Sequence, residues 1–151
     1  MKIRVHSDIS GFKIPDHLYK IADWVCEQCK LYIVSLDIIL INDEQLRELH
    51  KKYLNDDSYT DVMTFNTGDK NNIEGEIYIS VERAAVQAKQ YKVSLQEELA
   101  RLVIHGCLHL AGYDDKETTS LARMKHKENL YVREAIELFL NNSQVGFTQE
   151  N

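Results

Sequence analysis

Residues 94–115 read SLQEELARLVIHGCLHLAGYDD, and how this segment folds decides how the rest of the chain is arranged around it. Ser94 followed by Glu97 is a capping box, so a helix starts here and carries the motif that follows. Gly112 stands where that helix ends, because a glycine just past a helix end adopts the left-handed conformation that turns the chain back. His105 and His109 lie one turn apart on the same helix face, so both imidazoles can be directed at one point. After the reversal at Gly112, Asp115 can return to that point. Two imidazoles and one carboxylate around a cation leave a corner open for water, the arrangement of a catalytic rather than a structural zinc site. The bland alternative is a pair of surface histidines, with Asp115 capping the next helix.

The flanking residues refine this reading. Glycine inside a helix costs about 1 kcal/mol relative to alanine, so Gly106 needs compensation from close approach by a strand or by substrate. Cys107 points away from the histidines and belongs to the core. Glu98, Arg101, His105 and His109 share one stripe. Glu98 and Arg101 form either an exposed ion pair or an outer layer that orients a ligand imidazole or offers a cation to an anionic substrate. Zinc peptidases of the His-Glu-x-x-His type place their general base directly after the first histidine, where this chain has Gly106. A metallopeptidase would therefore lack its proton acceptor. Two histidines and a carboxylate also form the facial triad of oxygen-using iron enzymes, but no other feature supports that chemistry.

Before this helix, IRVHSDI reads as a strand, and Pro15 opens a helical stretch with Leu18, Ile21, Trp24 or Val25, and Cys29 at helical spacing. SLDIILIN (35–42) is a buried strand. Asn42 with Gln45 caps the next helix, whose buried stripe is Leu46, Leu49 and Tyr53. DVMTFN and EIYIS are strands joined through the polar turn TGDKNNIEG as a hairpin, and Ser80 caps a helix packed through Ala84, Ala85 and Ala88. A last helix runs over 118–140. The expected architecture is one α+β domain over 1–140, with a small mixed sheet of about four strands and about five helices, followed by a polar tail over 141–151.

A chain of 151 residues buries roughly two thirds of its unfolded surface and needs no disulfide to fold. Its three cysteines have no disulfide-framework spacing, and CEQC (26–29) lacks the second pair a four-sulfur zinc site needs, so these are ordinary helix residues of a reducing compartment. No apolar run approaches the roughly 20 residues of a membrane span, and MKIRVHSDIS has no signal-peptide core, so a soluble cytoplasmic protein is expected. The net charge of −6 argues against a surface that coats nucleic acid broadly.

HGCLHLAGYDD (105–115) resembles the signature His-Gly-x-Leu-His-Leu-x-Gly-Tyr-Asp-His of the YbeY family of bacterial metal-dependent endoribonucleases. YTDVMTF (59–65) is similar to the family's Pro-Thr-Asp-Val-Leu-Ser-Phe, and EGEIYIS (74–80) to its Leu-Gly-Asp-Ile-x-Ile-Ser. The resemblance implies an α+β fold and a zinc-dependent endoribonuclease that cuts single-stranded RNA. It also implies ribosomal RNA as substrate, with roles in maturing the 3′ end of 16S RNA and in quality control on the small ribosomal subunit. His105 and His109 match the first two histidine ligands, and Asp115 stands in place of the third. Carboxylate is a normal zinc ligand, and its charge raises the expected tolerance for manganese or iron. Leu54 replaces an arginine expected to meet RNA phosphate, and Arg101, with Lys89, Lys92 or Arg83, is the expected compensation. Tyr113 and Tyr59 are the aromatic residues near enough to the motifs to stack on a base. The competing reading is a ribosome-associated assembly factor with a mainly structural metal and little cleavage.

Overall fold

Apolar residues crowd the two middle strands because those strands are covered by helices. In the computed structural model, which describes residues 2–141, the strands are β1 (Ile3–Ser7), β2 (Ile33–Ile41), β3 (Val62–Asn66) and β4 (Ile73–Ser80). They form one sheet in the order β1-β2-β4-β3. β1 and β4 both pair with β2 in parallel, and β3 pairs with β4 antiparallel, which makes the mixed sheet and the hairpin that the sequence predicts. The helices are α1 (His17–Gln28), α2 (Asp43–Leu54), α3 (Val81–Tyr91), α4 (Leu95–Leu110) and α5 (Thr118–Ala135). A π-helical segment, Ile136–Asn141, continues α5, so the last helix changes its winding before the expected end at 140. Of the polar tail expected over 141–151, Asn141 closes this segment and the rest lies outside the described residues.

On one side of the sheet, Leu36, Ile38 and Leu40 of β2 and Ile73, Ile77 and Ile79 of β4 are sealed by Leu18 and Ile21 of α1 and by Leu99, Ile104 and Leu108 of α4. α4 touches α1, α3, α5, β3 and β4, and a helix so enclosed is apolar over most of its circumference. His105 and His109 stand on the edge that remains half-exposed. A β-carbon on Gly106 would sit 2.8 Å from side-chain carbons of Ile77, so the missing side chain is what lets α4 settle onto β4. This is the strand approach expected as compensation for a glycine inside the helix.

The opposite face is covered by α2, entered through the Asn42–Gln45 capping box. Leu46 is fully buried and Leu49 half-buried, but Tyr53 is 55% exposed rather than part of the buried stripe. The stripe runs out at the edge strand β3, where Tyr53 meets the ring of Phe65. Cys26 and Cys107 are buried with their sulfurs 3.9 Å apart, and Cys29 caps α1, as ordinary helix residues do. No helix among the described residues is long and apolar enough to cross a membrane.

Candidate active site

The Ser94 hydroxyl accepts the Glu97 amide at 3.1 Å and opens α4. At the other end Gly112 has φ +100°, the Tyr113 amide donates to the Leu108 carbonyl at 3.0 Å, and the Gly112 amide donates to the His109 carbonyl at 3.0 Å. These paired bonds form a Schellman motif, which only a residue at ease with positive φ completes without strain. The chain therefore turns back, and Asp115 lines the same cavity as His105 and His109.

The two imidazoles are 4.8 Å apart at their centroids and inclined by 74°. His105 Nδ1 lies 2.6 Å from Glu128 Oε1 on α5. A carboxylate only accepts, so Nδ1 is the protonated nitrogen that faces Glu128, and in the neutral ring Nε2 is the nitrogen that holds the lone pair. Glu128 is 2% exposed, and its other oxygen accepts from Arg101 Nη1 at 2.8 Å and Lys125 Nζ at 3.3 Å. Burial alone would raise its pKa, but the bonds from His105 and Arg101 and the charge of Lys125 outweigh burial and hold it at about 2. A buried carboxylate orienting one nitrogen of an imidazole is the usual outer partner of a metal-ligating histidine. Burial, then the neighbouring His105, lowers the pKa of His109 against the opposing influence of Asp115, the Tyr113 backbone and Asp114. Its neutral form is the one that ligates.

Of the two readings open for Glu98 and Arg101, the ion pair between them does not form, and Arg101 instead joins the layer behind His105. Arg101 turns to Glu128 and, at 2.8 Å, to Asn129 Oδ1, because a buried carboxylate already held by His105 is the stronger partner. It does not line the cavity. Glu98 is 2% exposed, and its Oε1 has no hydrogen-bond partner among the described residues. Burial pushes its carboxyl up to about 7, with Arg101 opposing and the charges of Asp61 and Glu128 adding to the rise. A carboxyl whose pKa rises from 4.5 to about 7 on folding loses stability as pH climbs between those values. Glu98→Gln should therefore be more stable than wild type by about 1–3 kcal/mol at pH 8 and gain nothing at pH 4. Denaturant midpoints on metal-free protein would read this, and a gain equal at both pH values would refute the titration argument.

Asp115 is exposed on the irregular segment after α4, near enough for its charge to act on His109. Among the described residues, no three histidine, cysteine, aspartate or glutamate side chains converge tightly enough to hold an ion. The helix thus brings two imidazoles together by itself, and Asp115 lines the same cavity without closing on them. Their chemistry fits a divalent metal: a neutral imidazole, an imidazole oriented by a buried carboxylate, and a carboxylate on an irregular segment.

Tyr59 is held between Arg47 and Arg83, whose guanidinium carbons lie 4.8 and 5.1 Å from its ring centroid, and its hydroxyl bonds to Glu44. Tyr113 packs against the core, and neither tyrosine lines the cavity. Arg83 binds Asp43 at 2.6 Å, and neither it, Lys89 nor Lys92 lines the cavity. Two residues at the site carry no signal in the sequence. Glu128 was hidden among the charged residues of α5, where only its position on the buried side distinguishes it. His50 of α2 lines the cavity, and its Nδ1 donates to the Ser58 carbonyl at 3.0 Å.

Fold and site together define an α+β domain in which a central helix presents two imidazoles, one braced by a buried carboxylate, to an open cavity. The sequence profile described as Endoribonuclease YbeY matches residues 4–135. Among curated relatives, the Endoribonuclease YbeY of Amoebophilus asiaticus is 41% identical over 125 residues, covering 80% of this chain and 84% of that protein. That of Bacteroides fragilis is 33% identical over 123 residues, covering 79% and 88%. A solution structure of a Thermotoga maritima protein superposes with a TM-score of 0.68 at 29% identity, covering 93% of both chains. The chain belongs to the YbeY endoribonuclease family.

Proposed function

We propose that this chain is a zinc-dependent endoribonuclease for single-stranded RNA. In this reading it acts in the cytoplasm on ribosomal RNA, in maturation of the 16S 3′ end and in quality control of the small ribosomal subunit. The observation that carries the proposal is the pair of imidazoles on the cavity wall with Glu128 buried behind His105, in a chain of this family.

His105, His109 and Asp115 would hold the ion, a set that zinc accepts and that manganese or iron also uses. When bound, such an ion polarises a phosphoryl oxygen and lowers the pKa of an adjacent water. The protein groups do the rest. Glu128 keeps the His105 proton on Nδ1, and burial lowers the pKa of His109, which favours its neutral form. His50 donates a hydrogen bond from Nδ1 to the Ser58 carbonyl, which turns its Nε2 side, 3.9 Å from Asp56 Oδ2, toward the remaining polar groups as a candidate proton carrier in a site with no glutamate after the first histidine.

Metal removal tests the reading. Purified protein should carry about one zinc per chain. A chelator should abolish cleavage of single-stranded RNA, and added zinc should restore it. Metal-free protein that cuts as well as the loaded form, or loaded protein that leaves RNA intact, would sink the proposal.

A further inference from the structure

We propose that the cavity rim at Phe65 and Tyr53 is a subsite for one nucleobase of single-stranded RNA, a proposal that rests on the endoribonuclease reading above. The cavity holding His105 and His109 has a volume of about 410 Å³, within the range of roughly 300–1,000 Å³ typical of ligand sites. Among the described residues no lysine or arginine lines it. The chain also carries a net charge of −6, so an RNA strand meets a repulsive background and few cations to neutralise its phosphates. Cationic side chains of the lining therefore supply no affinity at this cavity, and metal-free protein has to hold RNA there by other contacts.

The walls offer aromatic and apolar surface instead. Phe65 forms part of the wall, and its ring is braced by Tyr53 at 5.3 Å and 65° and by Tyr78 at 5.9 Å and 81°. Such edge-on neighbours hold a ring in place. Tyr53 and Leu54, 55% and 59% exposed, stand beside it on the last turn of α2. Two large exposed side chains, Tyr53 and Leu54, beside the half-buried ring of Phe65 at the cavity mouth mark a contact surface rather than scattered exposure. Phe65 and Leu54 line the same cavity as the imidazole pair, and Tyr53 joins that surface through its ring contact with Phe65, so an occupant of the surface is part of the same substrate. Stacking on aromatic rings holds unpaired bases of any sequence, whereas bases inside a duplex present no free face. Lys52 Nζ lies 5.1 Å from the Tyr53 ring centroid and supplies one cation for the phosphate next to the stacked base.

The test is equilibrium binding of a short single-stranded RNA to metal-free protein, together with steady-state cleavage by the zinc-loaded protein. Wild type would be compared with Tyr53→Ala, Tyr53→Phe and Phe65→Leu, with thermal midpoints recorded for each. Tyr53→Ala and Phe65→Leu should raise Kd and KM by about 5- to 100-fold, and Tyr53→Phe should stay within about 2-fold of wild type. The slope of log Kd against log salt should be no steeper than about −2. An abasic nucleotide moved along the RNA should weaken wild-type binding at one position and leave Tyr53→Ala indifferent to that position. A Tyr53→Ala protein of unchanged thermal midpoint that binds and cuts RNA like wild type would overturn the subsite while leaving the endoribonuclease reading intact. Wild type that neither binds nor cuts RNA would withdraw that reading and the subsite with it.

Discussion

His109→Ala should lose both its bound metal and its RNA cleavage. The loss should exceed the roughly 10- to 100-fold that removal of an outer partner of a ligand costs, because one of the two preassembled donors is gone. The fold should survive, since His109 is half-exposed and its neighbours Leu108 and Cys107 supply the packing of that turn. The measurements are metal content, cleavage of single-stranded RNA, and circular dichroism to establish that α4 is intact. Cleavage equal to wild type would end the nuclease reading of this site. A folded variant that loses metal while wild type itself cuts only feebly would favour the assembly-factor alternative, in which the ion is structural.

Glu128→Gln should weaken metal affinity and cleavage by about 10- to 100-fold, because the neutral amide no longer fixes the His105 proton on Nδ1. It should also lower stability. The Glu128 carboxyl falls from an ordinary 4.5 to about 2 on folding, so its contribution is present in full above pH 4.5 and disappears as pH falls through 2. For a carboxylate this buried the effect is about 2–3 kcal/mol at pH 7. Acid unfolding of the metal-free proteins would show it: the wild-type advantage should be constant above about pH 5 and vanish towards pH 2. An advantage that ignores pH over that range would mean packing, rather than charge, is what Glu128 contributes.

These two residues differ in how they could be found. His109 announces itself, because the spacing from His105 to His109 is a property of one helix and the reversal at Gly112 is a property of one helix end. Glu128 does not, because the residue it serves is 23 positions away and the two meet only where α5 packs on α4. Glu98 shows the converse error. It shares a stripe with Arg101 in sequence, yet packing buries it without a hydrogen-bond partner for Oε1 and gives Arg101 a better acceptor. Tyr59 and Phe65 lie in one motif, and only the paths of α2 and α3 decide that the first is clamped between arginines and the second faces the cavity.

By itself the sequence determined what short-range physics controls: caps at Asn42, Ser80 and Ser94, the hairpin of β3 and β4, the left-handed turn at Gly112, and two imidazoles on one helical face. The tertiary structure alone decided which carboxylate stands behind His105, where Arg101 spends its charge, which aromatic ring borders the cavity, and how near Asp115 comes to the histidines. The division has one cause. Local interactions reach a few residues along the chain and leave a pattern that can be read, whereas contacts between distant elements depend on how whole helices and strands pack.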